Sequence, residues 1–267
     1  MLFTFLRLCA NIYTIIIGKG EGMAYETFAD YYDLLTDNVG YTARADYILE
    51  LLSRIGHEIG LTLDLACGTG SLTLELKKRG VDIYGIDASA EMLSVAMQKS
   101  YEAGESILYL CQKMQSIDLY GTVDTCLCTL DSINHLTDIK DVKKTFERVS
   151  LFMNKGGIFL FDVNTPYKHE KVLSDNVFVF DTDEVYCVWQ NTPRENNITD
   201  ISLDFFIPEG ENYYRMSEEF SERAYPLETI KEMLEDSGFE LVFVFGDMTF
   251  EAPKEDEQRL IITARKL

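Results

Sequence analysis

The sequence predicts an α/β fold in which a mostly parallel sheet carries helices on both faces. Three observations lead to this prediction. Short apolar runs alternate with helical patterns over residues 61–163, as in strand–helix–strand units. A turn with two glycines joins the first apolar run to the first of these helices. After Asn164 the pattern changes to short strands alone, which predicts a small antiparallel sheet inserted before the last helix.

The first strand ends in the most informative stretch of the chain, residues 63–70, which read L-D-L-A-C-G-T-G. The alternating leucines suit a buried parallel strand. Gly68 and Gly70 lack a Cβ, so the backbone can turn sharply there and approach a ligand closely. A helical pattern follows from Ser71, and the free N–H groups at its start would point into the same crevice.

The spacing around this turn argues against a dinucleotide. Thr73 stands where the third glycine of the dinucleotide fingerprint would lie. Asp64, four positions before the first glycine, fits a nucleoside with a cationic amino-acid tail better. The stretch resembles the first motif of the class I S-adenosylmethionine-dependent methyltransferases. A tight strand-to-helix turn in another α/β protein is the alternative.

The resemblance implies a Rossmann-like, seven-stranded sheet whose last strand is antiparallel, and S-adenosyl-L-methionine as the cofactor. It also implies cofactor contacts from Asp64, Ala66, Gly68 and Gly70. Asp64 is expected to orient the glycine turn or to meet the cofactor's amino group, directly or through water.

The second strand, residues 81–87, ends in an acid roughly 20 residues past the glycines, where a βαβ unit places a carboxylate against ribose hydroxyls. Asp87 is therefore the candidate for ribose binding, with Ser89 competing for the alternative role of helix N-cap. Ala88 and Met92 would lie near the adenine. For Met92, packing in the core is an alternative.

The third strand, residues 107–111, leads to a departure from the resemblance. Lys113 stands where family members usually carry an acid that meets the adenine amino group, so only a backbone contact near Met114 is expected.

The fourth strand, residues 123–128, places a polar segment at the ligand-binding edge of the sheet. Thr129 is a candidate for cofactor binding. His135 is the candidate general base and Asp131 the second choice, although either could instead cap the helix that begins nearby.

The N-terminal residues 1–22 are expected to be a non-structural extension, with translation starting at Met23. A membrane span and a signal peptide are alternatives, because residues 1–17 are apolar. The segment from Tyr25 to Tyr32 resembles a helix that closes over the cofactor in small-molecule methyltransferases, with tyrosines near its methionyl end. Tyr25, Tyr31 and Tyr32 could instead stack on the core.

The expected organisation is a methyltransferase domain formed by residues 23–163 and 226–267, with residues 164–225 inserted as a β subdomain over the active site. Turns are expected at Thr192–Pro193 and at 208–210. The insertion offers four pocket candidates: Trp189, Tyr214, Arg215 and Arg223.

The charge and composition of the chain limit the kinds of partner and ligand that it is expected to bind. A net charge of −21 repels phosphate backbones and argues against nucleic acid. The six cysteines form no C-x-x-C pair, which favours free thiols in the cytoplasm. No metal site is expected, because His57, His135 and His169 are widely separated in the sequence. No membrane partner is expected, and a homodimer remains open.

These observations predict transfer of a methyl group to O or N of a small molecule by in-line displacement. The alternative is a binding protein that has lost catalysis and acts as a regulator or scaffold, for which Lys113 is the one hint. A nicotinamide-dependent dehydrogenase is a distant third, because the glycine spacing is wrong.

Overall fold

The computed structural model describes Ala29, Tyr32, Asp33 and residues 39–267. The expected extension over residues 1–22, the start at Met23, and the candidates Tyr25 and Tyr31 lie outside the described residues. Within the described part of the chain, no helix is long and apolar enough to cross a membrane.

Two sheets make up the β-structure of the described residues. In chain order the strands are β1 (Thr62–Leu65), β2 (Ile83–Asp87), β3 (Tyr109–Cys111), β4 (Val123–Cys128), β5 (Met153–Asn164), β6 (Val177–Asp181), β7 (Tyr186–Arg194), β8 (Ile198–Glu209), β9 (Asn212–Arg223), β10 (Phe239–Gly246) and β11 (Arg259–Lys266). The main sheet has seven strands in the order β10-β11-β5-β4-β1-β2-β3. Strands β1 to β5 pair in parallel, and β11 runs antiparallel to both neighbours. The predicted seven-stranded sheet with an antiparallel last strand is confirmed.

Helices cover both faces of this sheet, as predicted. They are α1 (Tyr41–Arg54), α2 (Ser71–Lys78), α3 (Ala90–Glu102), α4 (Ile139–Leu151) and α5 (Leu227–Asp236). One apolar core joins α4 and α5 to the sheet, with Phe146 and Leu234 fully buried. A second core joins α1 and α2 to the opposite face through Leu51 and Leu76. Burial of these two faces is the main force that fixes the layered arrangement.

The glycine turn between β1 and α2 requires its glycines for different reasons. Gly70 precedes α2 with φ of 71°, and an added Cβ would lie 2.7 Å from the Tyr109 hydroxyl and 2.8 Å from the Ala96 Cβ. Gly68 also has a positive φ, 54°, but an added Cβ there meets nothing within 4 Å. Gly70 therefore serves close packing, whereas Gly68 faces open space.

The smaller sheet has the order β6-β7-β8-β9 and is antiparallel throughout, as predicted. Its inner face buries a cluster that includes Cys187, Ile201 and Phe205. Asp200 and Asp204 alternate with these residues on β8 and are less buried, which confirms the expected wet face.

The expected turn at Thr192–Pro193 is wrong. Both residues lie in β7, where they pair with Asp200 and Thr199. The chain turns instead at Glu195–Asn197, where Asn196 and Asn197 adopt positive φ values of 61° and 58°. Asparagine tolerates this conformation better than most residues, so the sequence did contain a signal for the true turn.

Candidate functional site

A cleft of about 1310 Å³ lies at the carboxyl ends of the parallel strands and is bounded by residues from both sheets. Nine predicted site residues line it: Tyr32, Ala66, Gly68, Asp87, Ala88, Met92, Met114, Asp131 and His135. A small cavity of about 30 Å³ shares Tyr32, Ala66 and Gly68 with the cleft and is also lined by Asp64 and Thr129. Gly70 lines neither space. Its assignment to cofactor binding stays a prediction.

Asp87 fixes the glycine turn from the end of β2. Its Oδ2 accepts a hydrogen bond from the Gly68 N–H at 2.8 Å, and its Oδ1 accepts one from the Ser89 N–H at 2.8 Å. Ser89 in turn caps α3 by accepting from the Met92 N–H at 3.1 Å. Ser89 is thus the N-cap, while the Asp87 carboxylate lies on the wall of the cleft.

Asp64 lies under the glycine turn with 2% of its surface exposed. Its Oδ2 accepts a hydrogen bond from the Thr73 hydroxyl at 2.5 Å. Burial raises the pKa of Asp64 to about 7, and nearby Asp87 adds to the rise while the Thr73 bond opposes it. This carboxyl can therefore be neutral or ionised near neutral pH, depending on what occupies the adjoining cavity.

The described residues that precede the main fold are attached to the same turn. The Asp33 carboxylate accepts hydrogen bonds from the Thr69 hydroxyl at 2.7 Å and the Ser71 hydroxyl at 3.3 Å, and it pairs with Lys99. Tyr32 lines the cleft beside this anchor. Burial raises the pKa of its phenol well above the usual value, so it remains protonated.

A buried ionic cluster, which sequence reasoning missed, supports the loop after β4. Asp162 in β5 is fully buried and accepts hydrogen bonds from the backbone N–H groups of Leu130 at 2.8 Å and Asp131 at 2.7 Å. These two residues have positive φ values of 58° and 54°. Arg259 donates to Asp162 Oδ1 at 2.6 Å, and an Arg44 nitrogen lies 3.6 Å from Oδ2. The carboxylate therefore holds a strained turn in place.

Asp131 and His135 lie on the loop that this cluster supports. Arg259 donates to Asp131 Oδ1 at 2.5 Å. Burial alone would raise the pKa of Asp131, but Arg259, Lys168 and His135 outweigh it and hold the pKa below the usual range. His135 packs against Phe220, with ring centroids 5.1 Å apart. Desolvation by the surrounding protein lowers the pKa of His135, although the charges of Asp131 and Asp87 oppose this shift. The imidazole is therefore neutral near pH 7.

Glu222 of β9 completes this side of the cleft and was also missed. It is 4% exposed, and its two oxygens lie 3.8 Å from His135 Nε2 and 3.8 Å from His169 Nε2. Burial, followed by the charge of Asp131, raises the pKa of Glu222 to about 8. The histidines that looked too widely separated are thus brought to one carboxyl group. Ligand atoms of Asp131, His135 and Glu222 lie within 4.8 Å of one another, a spacing that a metal ion could bridge.

Of the four pocket candidates on the small sheet, Trp189 lines the cleft. Arg215 donates instead to the Asp204 carboxylate across β8 and β9, at 2.8 and 2.9 Å. Arg223 donates to the Thr137 carbonyl at 3.0 Å and lies over the Tyr225 ring. Tyr214 and both arginines lie outside the cleft wall.

Comparisons with known proteins agree on one family. The family pattern described as "Methyltransferase domain" matches residues 62–157. The putative methyltransferase YqeM of Bacillus subtilis is 35% identical over 246 residues, which cover 91% of this chain and 98% of that protein. The crystal structure of an S-adenosylmethionine-dependent methyltransferase from Clostridium acetobutylicum is 31% identical, with a TM-score of 0.82 over 97% of this chain and 99% of that chain.

A further relative matches about half of the sequence. The glycine/sarcosine N-methyltransferase of Halorhodospira halochloris is 30% identical over 139 residues, which cover 51% of this chain and 51% of that protein.

Removing the Asp162 carboxylate should destabilise the protein strongly. We expect Asp162→Ala to lower the free energy of unfolding by about 3–5 kcal/mol, because two guanidinium groups and two backbone N–H groups lose a buried partner. Asp204→Ala is the matched control, since its pair with Arg215 is exposed and is worth at most about 1 kcal/mol. Urea denaturation of both variants measures the difference, and equal losses would contradict the role given to Asp162.

Proposed function

This chain belongs to the S-adenosylmethionine-dependent methyltransferases, and we propose that it transfers a methyl group to a nitrogen or oxygen of a small molecule by in-line displacement. The observation that carries the proposal is the position of a neutral imidazole, His135, in the same cleft as the glycine turn. The predicted cofactor-binding residues and a candidate base therefore share one cleft.

The residues around the glycine turn fit the cofactor. Gly68 faces open space, so a ligand can approach its backbone closely. Asp87 remains on the cleft wall as an acceptor for ribose hydroxyls, with Ala88, Met92 and Met114 beside it for the adenine. Asp64 would meet the amino group of the methionyl end, where Tyr32, Ala66 and Thr129 line the small cavity. When bound, S-adenosylmethionine supplies a methyl group already activated by its sulfonium.

The chain's own contribution to the reaction is positioning and proton removal. Holding an acceptor in line with the methyl group can supply about 7–11 kcal/mol through proximity and orientation. His135 accepts the proton that the acceptor nitrogen or oxygen must lose. Arg259 holds the pKa of Asp131 low, so this carboxylate is a poor proton acceptor and His135 is the better base. The negative charge of Asp131 favours the imidazolium that forms on His135.

The acceptor would bind under the inner face of the small sheet. Phe180, Trp189 and Phe220 of this sheet line the cleft opposite the loop that carries His135. This supports residues 164–225 as an insertion that covers the active site. The net charge of −21 and the similarity to a glycine/sarcosine N-methyltransferase both favour a small molecule over nucleic acid.

The proposed location is the cytoplasm. The five cysteines within the described residues are free thiols, and three of them are buried. Such thiols persist in a reducing compartment.

Gly68→Ala should weaken cofactor binding without a matching loss of stability. The added methyl group would project into the cleft, so we expect the dissociation constants of S-adenosylmethionine and S-adenosylhomocysteine to rise about tenfold or more. Gly80→Ala is the control, because Gly80 also has a positive φ and open space around it but lies outside the cleft. Calorimetric titration measures the cofactor affinity of both variants. Equal affinities of the Gly68→Ala and Gly80→Ala proteins would contradict the placement of the cofactor on the glycine turn.

Cofactor affinity should also depend on the ionisation of Asp64. Because the pKa of this carboxyl is about 7 in the protein without ligand, it is mostly protonated at pH 5.5 and increasingly ionised at pH 7.5. A cationic amino group prefers the ionised form, so binding should tighten as pH rises. Asp64→Asn should flatten this dependence in calorimetric titrations. If cofactor affinity depended on pH in the variant as it does in the original protein, Asp64 would not be part of the cofactor site.

The same pKa predicts a stability effect of definite sign. The pKa of Asp64 is higher in the folded chain than in the unfolded chain, where it is about 3.9. Its stabilising contribution is therefore present below about pH 4 and is lost as pH rises through 7. Without ligand at pH 8, Asp64→Asn should be at least as stable as the original protein in thermal unfolding.

Methyl transfer itself is tested with labelled S-adenosylmethionine and a metabolite extract of the host. Labelled products should form, and His135→Gln should lower their rate of formation about 10²–10⁴-fold while cofactor affinity stays the same. His57→Gln is the control, because His57 bonds to Thr125 away from the cleft. Undiminished transfer by His135→Gln would exclude it as the base. Cofactor binding without any labelled product would favour a binding protein that has lost catalysis.

A further inference from the structure

The cleft wall formed by the small sheet combines aromatic rings with one buried carboxyl group. Phe180 and Trp189 stack with ring centroids 6.3 Å apart, and Phe220 packs on His135. Glu222 lies two residues after Phe220 on the same face of β9, because side chains alternate along a strand. Although only 4% exposed, Glu222 still borders the cleft.

Among the residues that the structure describes, Glu222 has no close cationic partner, although the charges of Lys168 and Arg259 act on it from farther away and oppose the rise of its pKa. Within the described residues, no lysine or arginine nitrogen lies at ion-pairing distance from it; its close nitrogens are those of His135 and His169. Desolvation in the cleft lowers the pKa of His135, whose side chain is still 45% exposed, and burial lowers that of His169 to about 4, so both imidazoles are uncharged near neutral pH. Lys168 donates to the Asn164 side chain at 2.9 Å rather than to Glu222.

Two further details show that hydrogen bonding to this carboxyl group is sparse. Asn164 donates to Glu222 Oε2 at a long 3.3 Å. The Nε2 atom of His169 is buried and has no hydrogen-bond partner, although its Nδ1 bonds to the Thr199 hydroxyl at 3.0 Å. A buried carboxylate without a close counter-charge is costly, so a cationic group that enters from the cleft would favour ionisation of Glu222 and pair with it.

We propose that the acceptor of the methyl group is an amine, whose nitrogen is held at Glu222 beside the ring of Phe220, while Trp189 lines the same cleft farther from Glu222. This inference rests on the proposed methyl transfer and specifies its substrate class. Aromatic faces attract organic cations, and the carboxylate supplies the opposite charge. A hydroxyl acceptor would gain neither interaction.

The chemistry of nitrogen methylation matches this arrangement. The ammonium form of the acceptor loses one proton to His135, which frees the nitrogen lone pair. That lone pair forms the new N–C bond while the C–S bond breaks and its electrons remain on sulfur. The nitrogen regains a positive charge as the bond forms, and the Glu222 carboxylate stabilises that charge where it develops.

A divalent metal ion fits the same wall less well. Asp131 Oδ1 already accepts a hydrogen bond from Arg259 at 2.5 Å, which leaves this oxygen less available as a metal ligand. Besides Asp131, the groups nearest Glu222 are two imidazoles and the donating amide of Asn164, whereas hard cations prefer further oxygen ligands. A metal ion is therefore an outcome of the experiment rather than the proposal.

The experiment uses Trp189, which is the chain's one tryptophan, as a fluorescent reporter inside the acceptor pocket. The protein saturated with S-adenosylhomocysteine is titrated with cyclohexylamine, cyclohexanol and cyclohexanecarboxylate, three probes of similar shape and different charge. We expect the amine to bind at least about tenfold more tightly than the alcohol, and the carboxylate to bind weakest. Parallel titrations with Mg²⁺ and Zn²⁺ test the metal ion.

Glu222→Gln should bring the ratio of amine to alcohol affinity close to one. Glu219→Gln should preserve it, because Glu219 lies on the opposite face of β9, is exposed and lies outside the cleft wall. The ratio in the original protein needs no variant, so it remains decisive even if Glu222→Gln is unstable. Alcohol or carboxylate binding as tight as amine binding, or a Glu222-dependent response to metal ions alone, would overturn the proposal.

A second measurement is independent of fluorescence. Mass spectrometry of the labelled products from the metabolite extract should locate the new methyl group on nitrogen. A product methylated on oxygen or carbon would contradict the amine proposal and would still support the proposed methyl transfer. Failure of methyl transfer itself would appear as an absence of any labelled product, whereas the affinity ratio reports on the amine site whether or not transfer occurs.

Discussion

The buried carboxylate of Asp162 is the interaction on which the site depends. It lies near the carboxyl end of β5 and binds the backbone of Leu130 and Asp131 together with the guanidinium of Arg259. Two consecutive non-glycine residues with positive φ would be unfavourable without such support. By holding this turn, Asp162 sets where the loop after β4 leaves the sheet, and so where Asp131 and His135 lie.

The small sheet is joined to the same loop by a set of buried hydrogen bonds, beside the packing of Phe220 on His135. The Asn134 side chain donates to the carbonyls of Asn164 and Arg223, and its oxygen accepts from the Asn164 N–H. Because Asn134 is fully buried, these bonds are costly to break. They connect the loop of His135 to the end of β9, where Glu222 lies, and so bring the imidazole of His135 and the carboxyl group of Glu222 together.

Local patterns were enough to predict the main sheet, the glycine turn and the acids at Asp64 and Asp87, because each depends on residues close together in the sequence. Asp162, Arg259 and Glu222 meet partners that are far away in the chain, and no local rule places them. Asp162 did leave a signal, since a carboxylate inside the apolar run of residues 158–163 needs a buried partner. Glu222 left none, because the acidic stretch of β9 resembles an ordinary exposed strand.

Desolvation shifts the pKa values of His135 and Glu222 in opposite directions. Desolvation in the cleft lowers the pKa of His135 and raises that of the buried Glu222, since it disfavours the charged form of each. These two groups are therefore close to neutral before an acceptor enters, in a chain whose net charge is −21. An entering amine changes that balance, because its positive charge favours ionisation of Glu222 just as a neutral imidazole stands ready for the proton. An anion at Glu222 would instead meet Asp131 and the same desolvated carboxyl group, so the proposed amine site would discriminate against negative charge at that point of the wall.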